Sequence, residues 1–440
     1  MNYDVILIGG GTAGLAGALR LAEAGKEVLL AEPKALGGTC LNTGCIPSKA
    51  MLHASEVFVQ CGKAGELGIL ARPRVDFKKL MARVRGFVSE GQEGIRQSMP
   101  HRNLTVLRHK ARLVGKRSVE IAGKTYSAKR IIIATGSVNL NPAIPGLDAA
   151  KHYTNENILT LKKLPKRVLC VGGGYISMEY ATFFSQLGSK VTILEAGAHV
   201  LGMLDDDARK ELLGANTALN IVTKTNIRRI RESRGTIIVD LPTRSFTGDA
   251  LIVAAGRVPH TAGLNLASAG VDTDERGAIK VDEQFRTANR RVYAVGDCTG
   301  RAMFAHTAKR EIDFVIHRLL NTESRIPDLG LVPWVVFTSP PVAGVGLSER
   351  EAKKKGFHTG TLKAPFSYVG RAAILGQERG FAKLVYDLKT GKILGSTIVG
   401  PRADDLIHEL TALMNMNATV RDLRMVIHAH PTLSEIFSEL

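Results

Sequence analysis

Asp4-Val-Ile-Leu-Ile-Gly-Gly-Gly11 is the stretch that decides the fold, because an apolar run ends there in three consecutive glycines. A stretch rich in Ala and Leu follows it and continues to Ala24. A second apolar run, Glu27-Val-Leu-Leu-Ala-Glu32, comes next. A short apolar strand, a glycine turn, a helix and another apolar strand in this order predict a βαβ unit with parallel strands.

The same order of features returns further along the chain. Arg167-Val-Leu-Cys-Val-Gly-Gly-Gly174 precedes a helix predicted from Met178 to Leu187 and a strand at Lys190-Val-Thr-Ile-Leu-Glu195. Because each such unit can hold one dinucleotide, this repetition predicts two dinucleotide sites.

The first unit carries Gly9-x-Gly11-x-x-Gly14 between its strand and its helix. Backbone amides and the helix dipole at such a turn can hold a pyrophosphate. Glu32 closes the second strand, where its carboxylate can accept hydrogen bonds from ribose hydroxyls. The alternative is a tight strand-to-helix turn that binds no ligand.

The second unit reads Gly172-x-Gly174-x-x-Ser177, with a serine where a third glycine usually lets the helix approach the strand. Glu195 ends the next strand and would repel a 2′-phosphate while accepting from a free 2′-hydroxyl. This pattern favours NAD over NADP. The alternative for Glu195 is a solvated carboxylate at a strand end.

The segment from Gly37 to Lys49 contains Cys40 and Cys45. In a regular helix this offset rises roughly 7.5 Å, beyond the ~7 Å Cα limit for a disulfide, so the segment must bend if the cysteines bridge. Gly44 and Pro47 are plausible bending points. A small strained ring is easily reduced, which favours a redox pair. The alternatives are two unrelated cysteines or half a zinc site, but no His/Cys cluster nearby completes tetrahedral coordination, and we expect no metal.

Size, charge and cysteine usage narrow the class of protein. A chain of 440 residues that is 45% hydrophobic predicts several domains. The start at Met1 has no charged leader and no long apolar run follows, so we expect neither secretion nor a membrane span. Five cysteines at irregular spacing argue against a secreted disulfide framework and favour the cytoplasm.

The net charge of +18 is unusual. Basic runs between Lys63 and Arg130 and around Arg228–Arg234 could attract nucleic acid, anionic lipid or acidic substrates. We favour a solvated surface, because no nucleic-acid motif or aromatic interleaving accompanies the charge. The weaker alternative is that this basic surface binds nucleic acid or a membrane.

Taken with these motifs, the sequence from Asp4 to Glu435 resembles the pyridine nucleotide-disulfide oxidoreductases of class I, and dihydrolipoamide dehydrogenases in particular. The resemblance is carried by the two glycine fingerprints, the cysteine segment and four further motifs. These are Ile133-Ala-Thr-Gly-Ser137, Val253-Ala-Ala-Gly-Arg-Val-Pro-His-Thr261 with His260 where Asn is usual, Val292-Tyr-Ala-Val-Gly-Asp297, and His428-Ala-His430-Pro-Thr-Leu-Ser-Glu435.

The resemblance implies an α/β fold with two Rossmann-like domains, for FAD and NAD, and a C-terminal α+β dimerisation domain. The expected limits are 1–148 and 265–328 for the FAD domain, 149–264 for the NAD domain and 329–440 for the dimerisation domain. A strand-rich pattern after Asp328 to Pro333 and a helix from about Ala403 to Met416 agree with this order.

The resemblance also implies the catalytic roles. Cys45 would lie beside the flavin as the charge-transfer thiolate, and Cys40 would exchange with the substrate. His430 and Glu435 would form a hydrogen-bonded pair that acts as the general base and reaches the partner's cysteines in a homodimer. A neutral imidazole can accept a thiol proton. The alternative for His430 is a capped loop histidine.

Further positions follow from the same resemblance. Lys49 and Glu179 would form an ion pair near flavin N5, or an ordinary salt bridge. Tyr175 would cover the nicotinamide pocket, or simply pack. The remaining cofactor contacts would come from the motif residues and a helix start after Met303, namely Thr135, Gly136, Gly256, Asp297, Ala305 and His306.

The implied reaction is the oxidation of dihydrolipoamide by NAD⁺, with lipoamide or a lipoyl domain as partner. The last cysteine is Cys298, so the extra cysteine pairs expected of a mercuric reductase are missing. Against this, a strongly basic chain would repel the basic subunit-binding module that such enzymes commonly meet. The alternative is an NAD(P)H-dependent reductase of another small disulfide, a metal ion or a quinone.

Overall fold

The structure, a computed structural model, describes residues 2–440. The strands are β1 (Asn2–Ile8), β2 (Val28–Ala31), β3 (Leu104–Leu107), β4 (Ala111–Gly115), β5 (Ser118–Ile121), β6 (Lys124–Ile133), β7 (Ser137–Asn139), β8 (Arg167–Val171), β9 (Lys190–Leu194), β10 (Asn220–Val222), β11 (Arg229–Ser233), β12 (Thr236–Asp240), β13 (Ser245–Gly248), β14 (Ala250–Val253), β15 (Arg257–Pro259), β16 (Val292–Ala294), β17 (Trp334–Val336), β18 (Val342–Gly346), β19 (Thr359–Pro365), β20 (Phe381–Asp387) and β21 (Ile393–Val399).

The α-helices are α1 (Thr12–Glu23), α2 (Gly38–Asn42), α3 (Cys45–Lys63), α4 (Phe77–Ser98), α5 (Tyr175–Gln186), α6 (Asp206–Ala215), α7 (Ala305–Leu319), α8 (Glu349–Lys354), α9 (Gly370–Ile374), α10 (Ala403–Asn415) and α11 (Val420–Arg424). Short 3-10 helices lie at Ala64–Leu67, Ile158–Thr160, Leu266–Ala269, Gly296–Thr299, Leu329–Leu331, Phe366–Tyr368 and Leu433–Phe437.

The first βαβ repeat builds the first sheet. Strands β3, β2, β1 and β6 pair in that order and run parallel, and β16 adds a parallel strand on the far side of β6. Their apolar residues are buried on both faces, as expected of parallel strands covered by helices. The antiparallel strands β4 and β5 extend from β6. Because β16 comes from residue 292 onward, the chain returns to its first sheet after the second repeat.

The second repeat builds a smaller parallel sheet in the order β10-β9-β8-β14. An antiparallel meander, β11-β12-β13, packs against it through Ile230, Ile237 and Val239. A two-stranded ribbon joins the repeats, because β15 pairs antiparallel with β7. This ribbon places the end of the Ile133–Ser137 motif beside the Val253–Thr261 motif.

The C-terminal part forms an antiparallel sheet in the order β17-β18-β21-β20-β19, with α10 packed on one face. Its core contains Phe366, Leu384, Ile398 and Ile407, all buried. The predicted fold class is therefore confirmed: two parallel α/β units and an α+β tail. The limits at 148, 264 and 328 stay predictions.

Several predicted helix bounds differ from the structure. Helix α5 begins at Tyr175 instead of Met178 and ends at Gln186 instead of Leu187. Gly174 is its N-cap, and Tyr175 and Ile176, which have weak helix propensity, are helical because they pack against the core. Helix α10 ends at Asn415, one residue before the predicted end. Within residues 2–440, the helices are too short or too polar to cross a membrane.

Candidate active site

The first glycine turn is built so that the chain can reverse tightly between β1 and α1. Gly9 has φ +104°, and a Cβ there would lie 2.4 Å from the Ala134 carbonyl oxygen. A Cβ on Gly14 would lie 1.8 Å from the carbonyl oxygen of Gly9, so neither position accepts a side chain. Gly11 is the N-cap of α1 and supplies no side chain to cap it. The first-turn amides of α1 are thereby left for an anion.

Glu32 organises this turn from the end of β2. Its carboxylate accepts hydrogen bonds from the amides of Gly10 and Lys34, both at 2.7 Å. The side chain is therefore held at the mouth of the glycine turn, where a carboxylate oxygen retains further lone pairs for a hydroxyl. Glycines without side chains, uncapped helix amides and a fixed acid at one turn together fit the diphosphate and ribose of FAD.

The second glycine turn repeats this geometry. Gly172 has φ +98°, and a Cβ there would lie 2.4 Å from the Ala254 carbonyl oxygen, while Gly174 begins α5. Glu195 accepts from the amides of Gly173 and Gly197, each at 2.5 Å. Ser177, in place of the third glycine, is fully buried, and in the described chain its hydroxyl has no hydrogen-bond partner. The serine fits sterically, at the cost of a polar group left unsatisfied.

A cavity of about 270 Å³ opens beside this second turn. It is lined by Gly172, Gly173, Gly174, Tyr175, Ile176, Glu195, Ala254, Ala255, Gly256, Arg257, Met303 and Phe304. The structure thus brings together the predicted residues Gly172, Gly174, Tyr175, Glu195 and Gly256. It adds Phe304 and Arg257, which the motifs contain but whose orientation no sequence pattern reveals.

Cys40 and Cys45 lie on different helices. Cys40 is in α2, and Cys45 begins α3 after a break at Thr43 and Gly44. The predicted bend is therefore present, and it turns the two thiols toward each other. Both cysteines are present as thiols, with Cys45 exposed and Cys40 half-buried.

The environment distinguishes the two sulfurs. The hydrogen bond from Cys40 and the charge of Lys49 lower the pKa of Cys45 to about 7, although burial opposes them. The same contact with Cys45, together with burial, raises the pKa of Cys40. Because a thiolate is the reactive form, Cys45 is the sulfur that carries negative charge near neutral pH.

Polar contacts hold the cysteine segment in place. Asn42 donates to the carbonyl oxygens of Leu36 and Gly38 at 2.9 and 2.8 Å. Asn155, which is buried, donates to the Thr43 carbonyl oxygen at 3.2 Å. Sequence analysis missed Asn155, since it lies 112 residues from Thr43 and belongs to no motif.

Lys49 and Glu179 form a partly buried ion pair between α3 and α5. The Lys49 Nζ donates to both Glu179 carboxylate oxygens, at 2.9 and 2.8 Å. It also lies 4.4 Å from the ring centroid of Phe337, whose amide donates to Glu179 at 3.3 Å. Burial raises the pKa of Glu179, while Lys49 acts in the opposite direction. The expected pair is thus present, and it connects the cysteine helix with the NAD unit.

Asp297 is connected to the ribbon between the two repeats. Ser137 Oγ donates to Asp297 Oδ2 at 2.5 Å, and Arg257 Nε donates to Ser137 Oγ at 2.8 Å. Thr135 Oγ1 donates to the His260 carbonyl oxygen at 2.7 Å, next to Gly136. The residues predicted from three separate motifs therefore meet at one place.

Helix α7 begins at Ala305 and presents uncapped amides, as predicted for the flavin-ring segment. His306 stacks on Phe304, with ring centroids 5.2 Å apart, and its Nε2 contacts the Pro333 carbonyl oxygen at 2.8 Å. Burial lowers the pKa of His306. A neutral ring in this position helps to fix the start of the helix.

His430 and Glu435 form a pair at the C-terminus. His430 Nδ1 lies 2.8 Å from Glu435 Oε1, and Glu435 Oε2 accepts from the Thr432 amide at 2.8 Å. The hydrogen bond from His430 lowers the pKa of Glu435. The His430 side chain is 79% exposed, and among the described residues its side-chain contact is with Glu435 and not with either cysteine. Within one chain, the cysteine pair and the His430–Glu435 pair are therefore two separate parts of the predicted site.

Comparison with known proteins agrees with this geometry. Residues 3–311 match the family model described as pyridine nucleotide-disulphide oxidoreductase, and residues 332–440 match the dimerisation domain of that family. The second match supports a homodimer.

Individual relatives differ in the activity their names state. A dihydrolipoyl dehydrogenase of Thermus scotoductus is 37% identical over 99% of this chain and 95% of its own length. A mercuric reductase of Bacillus cereus is 33% identical over 99% of this chain and 70% of its own length. A solved structure of RclA, an HOCl-induced flavoprotein disulfide reductase from Escherichia coli, has a TM-score of 0.91 at 30% identity, and the match covers 100% of this chain and 99% of that chain.

The expectations of an enzyme, of FAD and NAD as cofactors and of a flavoprotein disulfide oxidoreductase are confirmed by these comparisons. The chain belongs to the class I pyridine nucleotide-disulphide oxidoreductase family.

Proposed function

We propose that this enzyme oxidises dihydrolipoamide with NAD⁺, forming lipoamide and NADH through a Cys40–Cys45 disulfide. The observation that carries this proposal is the His430–Glu435 pair, in which one imidazole nitrogen is held at 2.8 Å by a carboxylate and the ring is exposed. Such a pair suits a substrate that must lose thiol protons. The relatives that are dihydrolipoyl dehydrogenases support the same choice.

In the proposed first half of the reaction, a dihydrolipoamide sulfur attacks Cys40 of the disulfide and Cys45 leaves as a thiolate. His430 of the partner subunit accepts the attacking thiol's proton, and Glu435 of the partner subunit stabilises the imidazolium. The second substrate thiol then attacks the mixed disulfide, which releases lipoamide and the Cys40 thiol. Two electrons pass in this way from the dithiol to the cysteine pair.

The electronic difference between the thiols supports this order of events. A leaving sulfur departs more readily when its thiol pKa is low. Besides the hydrogen bond from Cys40, the charge of Lys49 lowers the pKa of Cys45, and it acts without a free Cys40 thiol. FAD, when bound, carries the two electrons from the cysteine pair to the nicotinamide. Lys49, held by Glu179, is proposed to place a positive charge beside the thiolate.

The proposed cofactor contacts follow the two turns. Those for FAD are Gly9, Gly11, Gly14, Glu32, Lys49, Thr135, Gly136, Asp297, Ala305 and His306. Those for NAD are Gly172, Gly174, Tyr175, Glu195 and Gly256, all of which line the cavity beside α5. Glu195 favours NAD over NADP, because its carboxylate would repel a 2′-phosphate.

A homodimer with shared active sites is part of the proposal. The segment before His430 exposes apolar side chains, with Met425 at 76% and Ile427 at 96%. These exposed apolar side chains lie close in sequence to His430, which contacts neither cysteine of its own chain. Such a surface suits contact with a second copy of the chain. We also propose a cytoplasmic location, since a reducing compartment keeps cysteines such as Cys61 as thiols.

The second candidate is reduction of another disulfide, a metal ion or a quinone by NAD(P)H. The thiolate character of Cys45 near neutral pH favours it, because a soft thiolate binds soft metal ions. Mercuric reductases among the relatives and a Cu(II) complex of RclA are consistent with such chemistry in similar proteins. The strong positive charge also argues against docking to a basic subunit-binding module.

The deciding experiment is an NADH-coupled assay of flavin-loaded enzyme with lipoamide, glutathione disulfide, mercuric ion and a quinone in parallel. We expect lipoamide turnover to exceed the others roughly tens of times in kcat/KM, a difference of about 2 kcal/mol. Preferred turnover of mercuric ion or of another acceptor would replace the leading proposal with the second candidate.

A further inference from the structure

A second histidine–carboxylate pair involves His428, two residues before His430. His428 Nε2 lies 2.9 Å from Glu409 Oε1 on α10, and its Nδ1 lies 2.9 Å from Ser438 Oγ. The His428 ring also packs on Phe437, with centroids 6.0 Å apart. The ring is therefore held by α10 and by the C-terminal turn at the same time.

The burial of His428 contrasts with its neighbours. Its side chain is 5% exposed, whereas Ile427 is almost fully exposed and His430 projects into solvent. An exposed segment that carries a reactive side chain needs an internal anchor, because each free backbone residue adds conformational freedom. The buried imidazole supplies such an anchor within a few residues of His430.

The contacts of His428 connect the segments that contain His430 and Glu435. Ser438 follows the 3-10 helix that contains Glu435, and its amide donates to the Glu435 carbonyl oxygen at 2.9 Å. Thr432, between the two acting residues, donates through Oγ1 to the Ala429 carbonyl oxygen at 2.7 Å. The His428–Ser438 contact therefore joins the two ends of the segment that contains both His430 and Glu435.

We propose that His428 and Glu409 are positioning residues for the proposed thiol base. Both ring nitrogens of His428 are already engaged and the side chain is buried, so it acts on the reaction through His430 and not on the substrate. This inference rests on the proposed function only in that His430 serves thiol exchange. It applies to any dithiol substrate of the enzyme.

The test compares His428→Gln with His358→Gln, which changes an exposed histidine of the same domain. Stopped-flow measurements on flavin-loaded dimers follow oxidation of dithiothreitol by the oxidised enzyme and, separately, flavin reduction by NADH. We expect His428→Gln to slow the dithiol step roughly tenfold to a hundredfold, the range that a misplaced catalytic group produces. Flavin reduction by NADH and the His358→Gln variant should stay within about twofold of the unchanged enzyme.

A double-mutant cycle separates positioning from general stability. If His428 acts through the pair, adding His428→Gln to Glu435→Gln should slow the dithiol step further by less than about threefold. His428→Gln should also change the pH profile of that step in the same direction as Glu435→Gln does. The inference would be overturned if the rate losses of the two single variants multiplied in the double variant. It would also be overturned if His428→Gln left the dithiol rate unchanged.

Two further arms keep the result interpretable. Glu409→Ala replaces His428→Gln as the deciding variant if the latter does not dimerise, and the same outcomes apply to it. Dithiothreitol is used because it reports thiol exchange whichever substrate is physiological. A wild-type enzyme that oxidises dithiothreitol but not dihydrolipoamide would end the proposed function, while the effect of His428 would still be measured.

Discussion

Lys49 Nζ donates to both carboxylate oxygens of Glu179, so one ion pair bridges the helix that begins at Cys45 and the helix that begins at Tyr175. The Glu179 side chain is only 6% exposed, whereas Lys49 is 34% exposed. The pair therefore links the redox pair with the nucleotide cavity, and the buried carboxylate depends on the lysine for compensation.

Lys49→Met should destabilise the fold by about 1–3 kcal/mol, less than loss of a partner from a fully buried pair, since Lys49 is partly solvated. Burial already raises the pKa of Glu179, and removing Lys49 raises it further. The loss should therefore be largest at high pH and shrink as the carboxyl protonates at low pH. Urea unfolding at about pH 8 and about pH 5 measures it. Equal losses at both values would contradict this explanation, and Lys49→Met/Glu179→Gln is the control that removes the buried charge.

Gly14→Ala should yield protein that does not retain FAD, because its Cβ would lie 1.8 Å from the Gly9 carbonyl oxygen and must displace the glycine turn. Gly86→Ala is the matched control within α4, where no atom lies within 4 Å of the added Cβ. Alanine there should stabilise the helix by about 0.5–1 kcal/mol. Visible flavin absorbance after purification is the measurement. A fully flavinated Gly14→Ala enzyme would show that the turn can relax.

Cys40→Ala should raise the pKa of the remaining Cys45 thiol above about 7, because it removes the hydrogen bond from Cys40, which is the largest cause of the lowering. Thiolate formation, followed by ultraviolet absorbance during a pH titration of reduced protein, should then begin at higher pH. Cys45→Ser should instead abolish the long-wavelength absorbance of the two-electron-reduced enzyme. Cys61→Ser is the control, and persistence of that absorbance without Cys45 would reverse the assignment of the two sulfurs.

His430→Gln should slow dithiol oxidation by roughly a hundredfold to ten-thousandfold, the usual contribution of a positioned general base. Flavin reduction by NADH should remain unchanged, because that step does not involve the C-terminal pair. Mixed dimers of His430→Gln with Cys45→Ser chains test the shared site: one active site of each heterodimer combines an intact base with intact cysteines. Dithiol oxidation at full rate by the His430→Gln homodimer would show that the base assignment is wrong.

Glu195→Gln should improve the use of NADPH relative to NADH by roughly tenfold, about 1.4 kcal/mol, because repulsion of the 2′-phosphate is removed. Glutamine keeps one acceptor for the amides of Gly173 and Gly197, so the turn should persist. The ratio of kcat/KM for the two nucleotides is the measurement, with Glu211→Gln on α6 as the control. An unchanged ratio would show that Glu195 only holds the glycine turn and does not select between the two nucleotides.

Local sequence patterns were sufficient for much of the site. The repeated βαβ pattern and the bend between Cys40 and Cys45 follow from glycine positions and apolar runs that act over a few residues, whereas the helix start at Ala305 was implied by the family resemblance. The start of α5 was predicted three residues late, because Tyr175 and Ile176 have weak helix propensity and only packing overrides it.

The sequence alone determined the fold class, the two glycine turns and the separate positions along the chain of the Cys40/Cys45 and His430/Glu435 pairs. Only the tertiary structure decided that Asn155 holds Thr43, that Arg257 reaches Asp297 through Ser137 and that His428 is a buried anchor two residues before His430. The physical reason is distance along the chain. Periodicity and turn chemistry are local, whereas burial and hydrogen-bond partners are set when remote segments pack together.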